Sequence, residues 1–175
     1  SKWTAFNPGV RTIAAPMVVP VATVDSDAAG PGAVQDESLL TPVLDLSTAT
    51  TATLAFDEFF RWFSGGLDEI ADVDVRSSLT GGAWVNVLRQ QGASSANPAH
   101  KTIDVSAQAA GAADAQIRFR DWNGSNEEYW QIDNVTLDTS APGSCDMPVC
   151  TPPVAAGAKP VADGSFGAAM RCSRA

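Results

Sequence analysis

The stretch "EEYWQIDNVTLD", residues 127–138, decides how this chain is read. Trp130 and Ile132 share one parity and Val135 and Leu137 the other, so an alternating β-strand changes its apolar face at Asp133-Asn134. Two arrangements satisfy that pattern. A β-bulge can sit at the pair and re-aim a side chain, or Asp133 can point the same way as Val135 and Leu137. Either way a carboxylate stands at the edge of a core, where an unpaired charge is costly.

The segments upstream repeat the strand theme at roughly ten-residue intervals, separated by turn residues. Strands are expected at 17–25, 38–46, 51–63, 72–78, 81–91, 100–106, 115–123 and 129–137. Two alternate cleanly: "DVDVRSS" sets Val73 and Val75 against Asp72, Asp74 and Arg76, and "AQIRFRDWN" sets Ile117 and Phe119 against Arg118 and Arg120. No helical period persists beyond a turn or two. The pattern predicts an all-β fold, a jelly-roll β-sandwich of antiparallel sheets over residues 1–138.

From about Thr139 the composition turns to Pro, Ala and Gly, so residues 139–175 read as an extended tail or linker. Cys145 and Cys150 bracket "DMPV" there and are expected to form a disulfide in an oxidising compartment, with Cys172 left over. An extended tail of this kind could add to a sheet edge of a neighbouring copy, giving a homo-oligomer or filament.

Composition narrows the function classes. The chain has 175 residues, enough for one core of ordinary size, and a formal net charge of -9. That charge argues against nucleic acid and anionic membrane surfaces as partners. No run approaches the roughly 20 apolar residues that span a bilayer. No secretory leader is visible, so a cytosolic chain, an already processed chain or a fragment is expected. His100 is the single histidine and lacks a Ser or Cys nucleophile context. No glycine loop is of the phosphate-cradling kind. Asp57 and Glu58, mid-strand among phenylalanines, need partners, for which Arg118 or Arg120 are the ordinary candidates. Asp68, Glu69, Asp72 and Asp74 read as a solvated acidic face. Among Trp62, Trp84, Trp122 and Trp130, most should fill the core. Trp122, in "RDWNGSN", is the candidate for stacking on a carbohydrate.

The segments "VDSDAAGPG" (24–32), "ESLLTPVLDLSTATTATLAFDEFFRW" (37–62), "DVDVRSSLTGGAWVNV" (72–87), "IRFRDWN" (117–123) and "YWQIDNVTL" (129–137) occur in an order and spacing that resemble the MAM-like, choice-of-anchor J group of bacterial extracellular domains. The resemblance covers residues 17–138. It implies a jelly roll, an extracellular or cell-surface location and no catalytic activity of its own. Such domains are appended to secreted peptidases, glycosidases and adhesins. It also implies a structural calcium between an acidic N-terminal loop and an aspartate of the last strand, which here are Asp25, Asp27, Glu37 and Asp133. Calcium takes six to eight oxygens, and "DSDAAG" supplies two carboxylates two residues apart. The alternative is that Asp25 and Asp27 cap a turn and Asp133 accepts backbone N–H bonds at a bulge. The expected function is a calcium-stabilised, non-catalytic module for adhesion or assembly, with a carbohydrate-binding accessory module as the alternative.

Overall fold

A computed structural model describes residues 2–32, 34–126, 128–140, 149–151 and 171–173. They fall into two units, Ser1–Ala141 and Pro142–Ala175. In the first, β1 (Ala22–Asp25), β2 (Asp36–Leu40), β3 (Thr51–Arg61), β4 (Ile70–Arg76), β5 (Val85–Gln90), β6 (Ala99–Asp104), β7 (Gln116–Trp122) and β8 (Tyr129–Ser140) follow in order. Two four-residue helices, α1 (Ser26–Ala29) and α2 (Ser106–Ala109), interrupt them. The strands form two four-stranded antiparallel sheets, ordered β1-β8-β3-β6 and β2-β7-β4-β5. Apart from the adjacent pair β4–β5, successive strands cross back and forth between the sheets, which is the jelly-roll arrangement the sequence pattern predicts.

Period-2 alternation builds the core. Leu54, Phe56 and Phe60 of β3 and Trp130 and Ile132 of β8 point from one sheet, and Val73, Val75, Ile117 and Phe119 meet them from the other. Phe119 stands edge-on to both Phe56 and Trp130, with ring centroids 5.2 and 6.0 Å apart, a geometry that aromatic quadrupoles favour.

The parity change in β8 is a bulge. Ala55 pairs with Thr136 and Asp57 with Asp133, so Asn134 and Val135 together oppose Phe56. Asn134 takes the extra turn at φ 52°, a left-handed conformation that Asn tolerates well. Asp133 therefore stays on the outer face of its sheet, where its Oδ2 accepts from Val18 N and its Oδ1 from Asn134 N, both at 2.8 Å.

Two sequence expectations are corrected by the sheet order. The predicted strand at 17–25 begins only at Ala22. Residues before it lie as a strap on the outer face of β1-β8-β3, where Ile13, Met17 and Val21 pack against Phe59 and Tyr129. Arg118 and Arg120 sit in the opposite sheet from Asp57 and Glu58 and cannot serve them. Asp57 instead accepts from Asn134 Nδ2 and faces His100 Nδ1, each at 2.8 Å. Glu58 points into the core at 0% exposure. Its Oε2 accepts from Trp130 Nε1 at 2.7 Å and Gln90 Nε2 at 2.8 Å, and Lys101 Nζ lies 3.2 Å from Oε1. Burial pushes the Glu58 carboxyl above its ordinary pKa, against the pull of Gln90, Lys101 and Trp130.

In the second unit, β9 (Val149–Thr151) pairs antiparallel with β10 (Arg171–Ser173). The expected Cys145–Cys150 disulfide falls outside the described residues at Cys145, as does most of the tail expected to reach a neighbouring copy. Among the described residues no helix is long and apolar enough to cross a membrane.

Candidate functional site

The four residues nominated for calcium fall in different places. Asp25 ends β1, is 1% exposed and caps α1 by accepting from Ala28 N at 2.7 Å. Its carboxylate also takes two bonds from Arg11, Nε to Oδ2 at 2.8 Å and Nη2 to Oδ1 at 2.9 Å. The same Nη2 reaches Asp27 Oδ2 at 2.6 Å. The guanidinium lies 4.7 Å from the Tyr129 ring centroid, and the bond to Asp25 is the chief cause that raises the pKa of Arg11.

Asp25 pairs with Tyr129 in the β1–β8 ladder. Asp133 is four residues further along β8, about 13 Å away at roughly 3.3 Å per residue. Glu37 lies in the other sheet, opposite Asp121. Ligands to one calcium ion must all come within about 2.6 Å of it, so these four do not converge, and the guanidinium of Arg11 already bridges the two that meet. The set does not fit a calcium ion. Among the described residues no group of three or more His, Cys, Asp or Glu is placed to hold a metal.

A different surface gathers the polar chemistry. Cross-strand partners share a face, so the register of β2-β7-β4-β5 lines up Asp36 and Trp122, then Ser38, Arg120 and Asp72, then Leu40, Arg118 and Asp74, then Gln116 and Arg76 on the outer side. Arg120 forks onto both oxygens of Asp36 at 2.7 Å. Arg89 forks onto both oxygens of Asp72 at 2.8 Å. Arg118 grips Asp74 Oδ2 through two nitrogens at 3.0 and 2.8 Å, while Asn86 Nδ2 donates to its Oδ1 at 3.0 Å. Bidentate pairs fix both partners in direction as well as distance. Asp36 is held below its ordinary pKa chiefly by its bond from Arg120. Asp72 and Asp74, read from sequence as a solvated acidic face, are buried beneath this lattice. Glu69 is buried as well.

Two half-buried tryptophans bound the lattice. Trp122 donates Nε1 to Asp72 Oδ2 at 2.9 Å, and the guanidinium carbons of Arg120 and Arg89 lie 5.0 and 5.6 Å from its ring. Trp84, just before β5, has Arg118 and Arg76 at 4.5 and 4.6 Å. The other tryptophans are structural: Trp130 is fully buried, and Trp3 and Trp62 pack against the core. The sequence named Trp122 alone. The signal for the rest was present in the parity of "IRFRDW" and "DVDVR", which sets Arg118, Arg120 and Trp122 on the polar side of one strand and Asp72, Asp74 and Arg76 on the polar side of another.

This surface carries four arginines, Arg76, Arg89, Arg118 and Arg120, against three aspartates, Asp36, Asp72 and Asp74. The result is a rigid polar grid of oriented hydrogen-bonding groups with two half-buried indoles at its edges.

No protein-family model matches the chain. No curated protein sequence matches it either. Solved structures similar to it include the K1 cleaved adhesin domain of Lys-gingipain from Porphyromonas gingivalis W83, at 19% identity and TM-score 0.49, covering 69% of this chain and 75% of that one. A structure described as "CBM4 structure and function" matches at 21% identity and TM-score 0.39, covering 69% and 84%. A non-crystalline cellulose specific carbohydrate-binding module, CBM28, matches at 14% identity and TM-score 0.43, covering 79% and 88%.

Proposed function

We propose that this chain is a non-catalytic extracellular adhesion module whose contact surface is the outer face of β2-β7-β4-β5, and that its ligand is carbohydrate. The observation that carries the reading is the placement of Trp84 and Trp122, half-buried on one face with an ion-paired Arg/Asp grid between them. Holding the arginines in bidentate pairs lowers the ordering that binding would otherwise require. The resemblance to MAM-like, choice-of-anchor J domains belongs to the same proposal, and the extracellular setting follows from it.

Calcium is not part of this reading, because Arg11 occupies the acidic pair that was to hold it. The test is affinity electrophoresis of the chain through gels carrying cellulose derivatives, xylan, mannan or β-glucan. Retardation by at least one polysaccharide, lost in Trp122→Ala, is expected. Equal mobility of wild type and Trp122→Ala in every gel overturns the proposal.

A further inference from the structure

We infer that the Arg76 end of this face holds a subsite for one neutral sugar unit, an assignment that rests on the glycan-binding reading above. A cavity of about 280 Å³ opens there, lined by Val43, Arg76, Ser77, Gly82, Asp114 and Gln116. That is slightly below the range of drug-sized pockets and suits a single ring.

Its polar groups are fixed before any ligand arrives. Gln116 donates Nε2 to Thr41 O at 2.8 Å, which turns its Oε1 toward Arg76. Arg76 donates Nε and Nη2 to that oxygen at 3.1 and 2.7 Å. Its guanidinium lies against Trp84. Unlike Arg89, Arg118 and Arg120, it has no carboxylate partner among the described residues. Its Nη1 remains a donor for a ligand. Across the cavity wall, Asp114 uses one carboxylate oxygen, Oδ1, to accept from Ser78 N and Ser78 Oγ, both at 2.9 Å. Its other oxygen is an acceptor for a ligand.

The pairing selects the ligand class. A vicinal diol donates and accepts through adjacent hydroxyls and can satisfy Asp114 and Arg76 together. A uronate or phosphate group would meet Arg76 but also the Asp114 charge, and an amine would meet the reverse conflict. A neutral hexose or pentose meets neither, and Trp84 and Val43 supply apolar surface for its ring.

The test compares full-length wild type with Arg76→Ala, Asp114→Asn and Trp122→Ala by isothermal titration. The probes are cellohexaose, xylohexaose, mannohexaose, laminarihexaose and hexagalacturonate. Asp114→Asn keeps the oxygen that accepts from Ser78, so its fold is expected to hold, and the thermal midpoint of each variant checks this. The expected result is binding of at least one neutral hexasaccharide, weakened roughly tenfold or more by Arg76→Ala and by Asp114→Asn, as loss of a hydrogen bond to a charged group implies. Hexagalacturonate is expected to bind more weakly. If Trp122→Ala abolishes binding while Arg76→Ala and Asp114→Asn keep wild-type affinity, the subsite is wrong and the face stands. If hexagalacturonate binds best, the neutral assignment is overturned. If wild type binds none of the five, both fall.

Discussion

Arg11 grips the buried carboxylate of Asp25 with two parallel bonds, Nε to Oδ2 at 2.8 Å and Nη2 to Oδ1 at 2.9 Å. This contact ties the N-terminal strap to the end of β1 where a metal ion was expected from sequence. Removing the guanidinium takes the cation from a buried carboxylate, a loss of about 3–5 kcal/mol in comparable buried pairs. Arg11→Ala is therefore expected to lower the thermal midpoint by roughly 10 °C in a domain of this size. Excess chelator is expected to leave the wild-type midpoint unchanged. Scanning calorimetry with and without calcium checks both, and a midpoint that climbs with calcium concentration would contradict the arrangement.

Asp133 holds the bulge of β8 to the strap through Val18 N and Asn134 N. Asp133→Ala removes the acceptor of two exposed donors that water can reach, and a loss of about 0.5–1.5 kcal/mol is expected. Asn134→Gly keeps the positive φ without strain but removes the Nδ2 donor to Asp57, so about 1 kcal/mol is expected to be lost. Asn134→Val should cost more, because a β-branched residue is a poor fit there. Urea denaturation of the three variants, compared by midpoint at constant slope, gives the ranking.

Glu58 gives the protein a distinctive pH response. Its folded pKa is raised above the unfolded value, chiefly by burial. The associated stability is therefore fully present below the unfolded pKa, near 4.3, and is lost as pH rises through the folded pKa. At neutral pH the charged form is the costly one. Glu58→Gln keeps an oxygen for Trp130 Nε1 and lets Lys101 turn to solvent. The variant is expected to melt higher than wild type at pH 7, with the advantage shrinking toward pH 4. Thermal melts across that range measure it, and an advantage that grows on acidification would reverse the assignment.

The strands were legible in the sequence wherever alternation was strict. "DVDVR" and "QIRFRDW" became β4 and β7 within a residue or two, and the parity change at Asp133-Asn134 marked a real bulge. The strap was not legible, because "IAAPMVVPV" has strand composition but two prolines that cannot donate to a ladder. Partners across the fold were also hidden. Arg11 meets Asp25 fourteen residues away, and Lys101 meets Glu58 through a β3–β6 pairing that no local pattern encodes. The candidate ligand face was half legible. Parity placed arginines and aspartates on outer faces, but only the β7–β4 register shows that they interlock and that Trp84 and Trp122 bound the same surface.

The most direct measurement is a ¹⁵N NMR titration of the chain with the hexasaccharide whose polysaccharide retards it most, following the indole Nε1–H signals. The Trp84 and Trp122 signals are expected to shift together and saturably, while the buried Trp130 signal, bonded to Glu58, stays in place. Shifts confined to the strap and the outer face of β1-β8-β3-β6, with Trp84 and Trp122 unmoved, would contradict the assignment of the ligand face.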